Sequence, residues 1–120
     1  MREAGRDKGR LEHILSAIGS ISSYGEGKTY EEFSTNGMMY YAVVKNIEII
    51  GEAANMLTEE FRKSHSATPW RLIIGMRHYM VHEYFQVDGN VVWEFVTHDL
   101  PPLAAQVKSY LDEMDGKESD

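Results

Sequence analysis

A chain of 120 residues without a cysteine, 42% hydrophobic and 26% charged, reads as one ordinary globular domain with no disulfide framework, no thiol nucleophile and no cysteine-based zinc site. Nineteen acidic residues against twelve basic ones leave a net charge of −7. That balance excludes a general nucleic-acid coat, which depends on Lys and Arg neutralising phosphates, so any action on RNA needs a local basic site working against the field of the remaining surface.

Met1 to Arg10 is charged and lacks the apolar core of a secretory signal. No run along the chain approaches the ~18 apolar residues of a membrane span, so the expected location is the cytoplasm, with no membrane partner. The domain is expected to occupy 1–120, with 1–6 and the acidic tail 115–120 frayed.

Leu11, Ile14, Leu15, Ile18 and Ile21 step by three and four and predict a first amphipathic helix. Gly25-Glu26-Gly27 breaks it, and Tyr30 and Phe33 suit a short helical turn. Ser34-Thr35-Asn36-Gly37 offers caps for a second long helix. There Met39, Val43, Ile47, Ile50, Ala54, Leu57 and Phe61 form one stripe of bundle character, ending near Lys63-Ser64-His65. Thr68-Pro69-Trp70 restarts the chain as a helix, with Thr68 as N-cap and Pro69 in the first turn, where its missing N–H costs nothing. Trp70, Ile73, Ile74, Met80, Val81 and Tyr84 carry its apolar face. Asp88-Gly89-Asn90 closes that helix and caps the next. The last stripe runs from Val92 and Phe95 through Leu100, Leu103 and Val107 to Met114, and Pro101-Pro102 must kink or split it. Four main helices with short connections predict an all-α, antiparallel, up-and-down bundle of four to five helices.

The third long helix carries the unusual chemistry. Two His, two Tyr and two Arg stand within its apolar sequence between Arg71 and Phe85. Arg77 shares a side with Ile73, Met80 and Tyr84, so its guanidinium is desolvated unless it has a partner or faces a cleft. Glu48 and Glu52 are the natural bundle carboxylates for such a pair. His78 and His82, four apart, are neighbours. Arg77 and His82 are five apart, about 140° around the helix. To serve one reaction, they need a bend in the helix or a second copy of the chain. Zinc on His78 and His82 would require a third ligand, and Glu83 points off that face; no metal or other cofactor is expected. His13, His65 and His98 read as surface or boundary residues.

These types suit RNA cleavage. An imidazole, ordinarily titrating near pH ~6.5, can take the proton of a ribose 2′-hydroxyl, and an Arg fork can stabilise charge building on the phosphoryl oxygens. A tyrosine can hydrogen-bond a phosphate or stack on a base. Periodicity alone does not single out that reaction.

The run R-x-x-x-x-H-x-Y, here Arg77, His82 and Tyr84, resembles the motif of the HEPN superfamily and its HepT-like toxin branch, also described as domain of unknown function family 86. The likeness extends to Arg10–Ile18 in the first helix, Ile49–Ala54 in the middle helix, Pro69-Trp70-Arg71 with Gly75-Met76-Arg77 at the motif helix, and Tyr84–Asp88, Val92-Trp93 and Asp99–Pro101 beyond it. The resemblance implies a bundle that forms a homodimer, so that two motifs face one cleft. It implies a metal-independent endoribonuclease with Arg77 and His82 as catalytic residues, and His78 and Tyr84 as phosphate-binding or supporting ones. It also implies a toxin–antitoxin pair, whose partner is a minimal nucleotidyltransferase that transfers AMP to Tyr84. Many members carry Asn after the motif Arg, where this chain has His78, which leaves the role of His78 open. Two other readings are a non-catalytic helical module that binds the nucleotidyltransferase, and a plain helical dimerisation domain.

Overall fold

The computed structural model describes residues 2–83 and 86–119, with side chains over 5–83 and 86–116. Among the described residues every regular element is helical.

Helix α1 (Arg2–Gly25) buries Leu11, Ile14, Ala17, Ile18 and Ile21. It stops at the Gly25-Glu26-Gly27 break, where Gly27 takes φ +77°, a left-handed conformation that glycine adopts without a Cβ penalty. Helix α2 (Tyr30–Thr35) opens on a capping box: Thr29 Oγ1 accepts from the Glu32 N–H at 3.1 Å, and Glu32 Oε1 accepts from the Thr29 N–H at 3.1 Å. Its Phe33 plugs into the core against Tyr40 and Trp93. Helix α3 (Gly37–Met56) is capped by Asn36, whose Oδ1 accepts from the Met39 N–H, and it buries Met39, Val43, Ile47, Ile50 and Ala54.

The stripe predicted as one helix to residue 63 is cut at Leu57–Thr58. Helix α4 (Glu59–Ser64) begins afresh, because Thr58 spends its groups outside the helix. Its Oγ1 caps Phe61 N–H, while its own N–H and hydroxyl both donate to Asp7, at 2.9 and 2.7 Å. Asp7 is a buried carboxylate on α1, held by these two bonds.

Helix α5 (Trp70–His82) starts with Pro69 at the cap position and no side-chain cap. Thr68, predicted as the cap, is instead buried, and its hydroxyl bonds to Gln106 Oε1 at 2.8 Å and to the Tyr110 hydroxyl at 2.6 Å. The side chain that would have capped α5 thus ties it to the last helix. The core face of α5 is Trp70, Ile73, Met76 and Met80, while Val81, predicted apolar-side, is exposed.

Helix α6 (Gly89–Glu94) is capped by Asp88, whose Oδ1 accepts from Asn90 N–H at 2.8 Å. A π-helical turn (Phe95–Asp99) then leads into α7 (Leu100–Ser119). The predicted split at Pro101-Pro102 takes this form. The Leu100 N–H reaches back to Phe95 O, and the prolines fall in the first turn of α7, where their missing donors are not needed. Lys8 Nζ on α1 pairs with Asp115 on α7 at 2.9 Å.

Helix α3 is the centre of the bundle, packed between α1 and α5, with α7 closing on α1. The core between them is aliphatic: Leu11, Ile14, Ile47, Ile50, Ile73, Val92 and Val107 are fully covered. Burying side chains of this size contributes roughly 1.5–3 kcal/mol each before the opposing chain entropy.

Candidate active site

The position of α5 is set where it crosses α3 at Gly51. A methyl group on Gly51 would clash with Arg77 Cβ and stand 3.2 Å from the Ile73 carbonyl oxygen. The absence of a side chain is what lets the two backbones approach, and Arg77 is the residue that rests on the gap. Its guanidinium leaves the core sideways. Nε donates to Glu52 Oε2 at 2.9 Å, and the side chain is 39% exposed. It lines an open cleft of about 350 Å³ across the outer face of α3, together with Arg10 and His13 of α1 and Lys45, Glu48 and Glu52 of α3. Arg77 therefore has both things its sequence position called for, a carboxylate partner and a cleft.

His82 is the last residue of α5 and is exposed. Its ring centroid lies 4.1 Å from that of His78, one turn earlier, as the spacing predicted. His78 is also exposed and lines a second, larger hollow between α4 and α5. The structure thus brings His78 and His82 together. It does not bring Arg77 and His82 to one cavity within a single chain, since Arg77 opens toward α1 and His82 is not among the residues lining that cleft. Tyr84 lies outside the described residues. Among the described residues, no three His, Asp or Glu side chains form a cluster able to hold a metal ion.

A residue that sequence reasoning passed over is Tyr79. Its hydroxyl accepts from the Asp88 N–H at 2.8 Å, tying the body of α5 to the far end of the segment that follows His82. Only its place in the Tyr-rich stretch hinted at it. Nearby, burial pushes the Tyr40 phenol above its usual pKa, and the neighbouring phenols of Tyr79, Tyr30 and Tyr41 and the Asp88 carboxylate push in the same direction.

A helical bundle whose exposed motif helix carries Arg77, His78 and His82 defines a domain of the HEPN type. A family profile for "Ribonuclease HepT-like" proteins matches residues 14–110. The chain belongs to the HepT-like ribonuclease family. It is 41% identical over 101 residues, 84% of its own length, to a protein of Caldanaerobacter subterraneus named as a candidate RNase, and covers 90% of that protein. A protein of Thermococcus cleftensis, named as a candidate ribonuclease HepT, is 36% identical over 80% of this chain and 87% of its own. A candidate RNase of Methanocaldococcus jannaschii is 32% identical over 92% of each chain. No solved structure matches. No helix among the described residues is long and apolar enough to cross a membrane.

Proposed function

We propose that this chain is an endoribonuclease that works as a pair of identical copies without a metal, with Arg77 and His82 as its catalytic residues. One observation carries this reading. Two side chains suited to phosphodiester cleavage are both open to solvent on one helix, yet diverge around it, so that two copies facing through α5 would join an Arg77 to a His82. Apolar side chains exposed on α5 and α6, among them Leu72 and Val91, support such pairing.

In the reaction, the neutral His82 imidazole takes the proton of a ribose 2′-hydroxyl. The oxygen attacks the adjacent phosphorus, the P–O5′ bond breaks, and a 2′,3′-cyclic phosphate forms. The imidazolium returns its proton to the departing 5′-oxygen. The Arg77 guanidinium leaves Glu52 for the phosphoryl oxygens, whose charge it stabilises in the transition state. His78 and Tyr84 support the phosphate.

The chain acts as the toxin of a toxin–antitoxin pair in the cytoplasm. A minimal nucleotidyltransferase silences it. The Tyr84 phenolic oxygen attacks the α-phosphorus of ATP, loses its proton and displaces pyrophosphate. The attached AMP sets negative charge beside the cation that RNA needs.

Purified His82→Ala and Arg77→Ala chains are expected to keep their helical circular dichroism and lose RNA cleavage and cyclic-phosphate product; full cleavage by either refutes the assignment. A second reading, a non-catalytic module that presents Tyr84 to the nucleotidyltransferase, draws support from the Glu52–Arg77 pair and the net charge of −7. It predicts AMP on Tyr84 by mass spectrometry and no cleavage by the unmodified chain.

A further inference from the structure

The ribonuclease reading leaves the larger hollow unused. It lies between α4 and the first half of α5, with a volume of about 950 Å³, and Arg62, Lys63, Arg71 and His78 line it against the single carboxylate Glu59. In a chain of net charge −7, three of twelve permanent cations face one depression. Lys63 pairs with Glu59 at 3.1 Å in an exposed i, i+4 contact of little strength. Arg71 makes no ion pair with any described residue. Arg62 has a buried Nε with no hydrogen-bond partner among the described residues.

The outward face of α5 continues this depression. Arg71, Gly75, His78 and His82 follow at spacings of four, three and four and form one exposed stripe. Arg71 and His78 are two turns apart, about 10 Å, and His82 is one turn further. A Cβ on Gly75 would meet nothing, so the helix backbone is open there. The stripe therefore begins with a cation, passes over bare backbone and ends on two imidazole rings in mutual contact, whose free faces can receive a base.

We propose that this groove is the track on which single-stranded RNA lies, with Arg62 and Arg71 on backbone phosphates and His78 passing the strand to His82. The proposal rests on the ribonuclease reading for its direction, toward His82, and gives His78 a positioning role. Charge complementarity selects the ligand, since a depression lined by Arg62, Lys63 and Arg71 against one carboxylate, on an acidic protein, fits a polyanionic strand.

The test is binding of a short fluorescein-labelled single-stranded RNA to the full chain carrying His82→Ala, titrated at several salt concentrations. Each phosphate contact on a single strand contributes about 0.7 to the slope of log K against log salt, so adding Arg71→Gln should lower the slope by about 0.7 and Arg62→Gln with Arg71→Gln by about 1.4. A merely structural role would leave that slope unchanged. Gly75→Gln, placed in open space, should keep the fold by circular dichroism and lose affinity by filling the stripe. Unchanged slopes with unchanged Gly75→Gln affinity overturn the track, as does failure of the parent to bind RNA at low salt. RNA cleavage by the unsubstituted chain, with slopes unchanged by the arginine substitutions, would refute the track alone. Lowered slopes in a chain that never cleaves would support the track and refute the ribonuclease reading.

Discussion

The crossing of α3 and α5 makes Gly51→Ala the sharpest probe of how the bundle holds Arg77. The added methyl clashes with Arg77 Cβ and approaches Arg77 Cα to 3.3 Å, whereas carbon atoms in good contact stand about 3.5–4.0 Å apart. Both obstacles belong to the α5 backbone or its first side-chain atom, so no rotamer change relieves them, and the helices must separate. Overpacking of this kind costs about 1–3 kcal/mol, against which an alanine in a helix gains about 0.5–1 kcal/mol over glycine. The expected net loss is roughly 1–2 kcal/mol in urea unfolding at unchanged m-value. Arg77 moves with α5, and in the catalytic role proposed for it a displacement near 1 Å costs on the order of 100-fold in rate. The RNA-cleavage kcat should therefore fall far more than stability does. Gly75→Ala on the same helix is the control: its methyl meets nothing, so it should be as stable as the parent or more so. A Gly51→Ala chain that matches this control in stability and the parent in kcat would refute the crossing argument.

Other perturbations follow from single contacts. Glu52→Gln frees Arg77 from its resident anion; RNA KM should fall, with a stability change within about 1 kcal/mol because the pair is half-exposed, and an unchanged KM would show that Glu52 does not compete with phosphate. Asp7→Ala removes the acceptor of the Thr58 N–H and hydroxyl and should cost about 2–3 kcal/mol in urea unfolding; an unmoved midpoint would mean the α1–α4 tie is slack. The raised Tyr40 pKa makes folding favour the protonated phenol. This contribution is complete below the unfolded value near pH 10 and is lost as pH rises through the higher folded value. Alkaline unfolding should therefore be less steep in Tyr40→Phe, and identical profiles would contradict the shift.

The helices that pack around α3 were legible because their apolar residues recur every three or four positions and each stripe meets another of its kind; Ile14, Ile47 and Ile73 are all fully covered, as their periods require. The break at Leu57–Thr58 was not legible. The stripe runs through it without interruption, and the group that captures Thr58 is Asp7, 51 positions away. Thr68 misled for the same reason: its local pattern is that of a cap, but partners on α7 hold the hydroxyl. At the site, spacing was enough to place His78 beside His82 and to separate Arg77 from His82. In the proposed pair, the surface that would join Arg77 to a His82 belongs to a second chain, and no period within one chain encodes that. Arg62 carried no signal in sequence, and Arg71 stood out only as part of the motif helix, because only the fold of α4 back toward α5 turns two scattered cations into one depression.

The π-helical turn at Phe95–Asp99 has a further consequence for how the last helix tolerates change. Its wider loop absorbs one residue more than an α-helical path would use. Straightening the turn into α-helix without losing a residue would rotate all that follows by about 100°. Leu100, Leu103 and Val107 would then swing out of the interior together, and Gln106 and Tyr110 would lose their reach to Thr68. The irregular loop thus works as a phase corrector: removal of its one extra residue leaves the last helix in register, whereas regularising it at full length would unseat the C-terminal sixth of the fold and release the anchor at the root of α5.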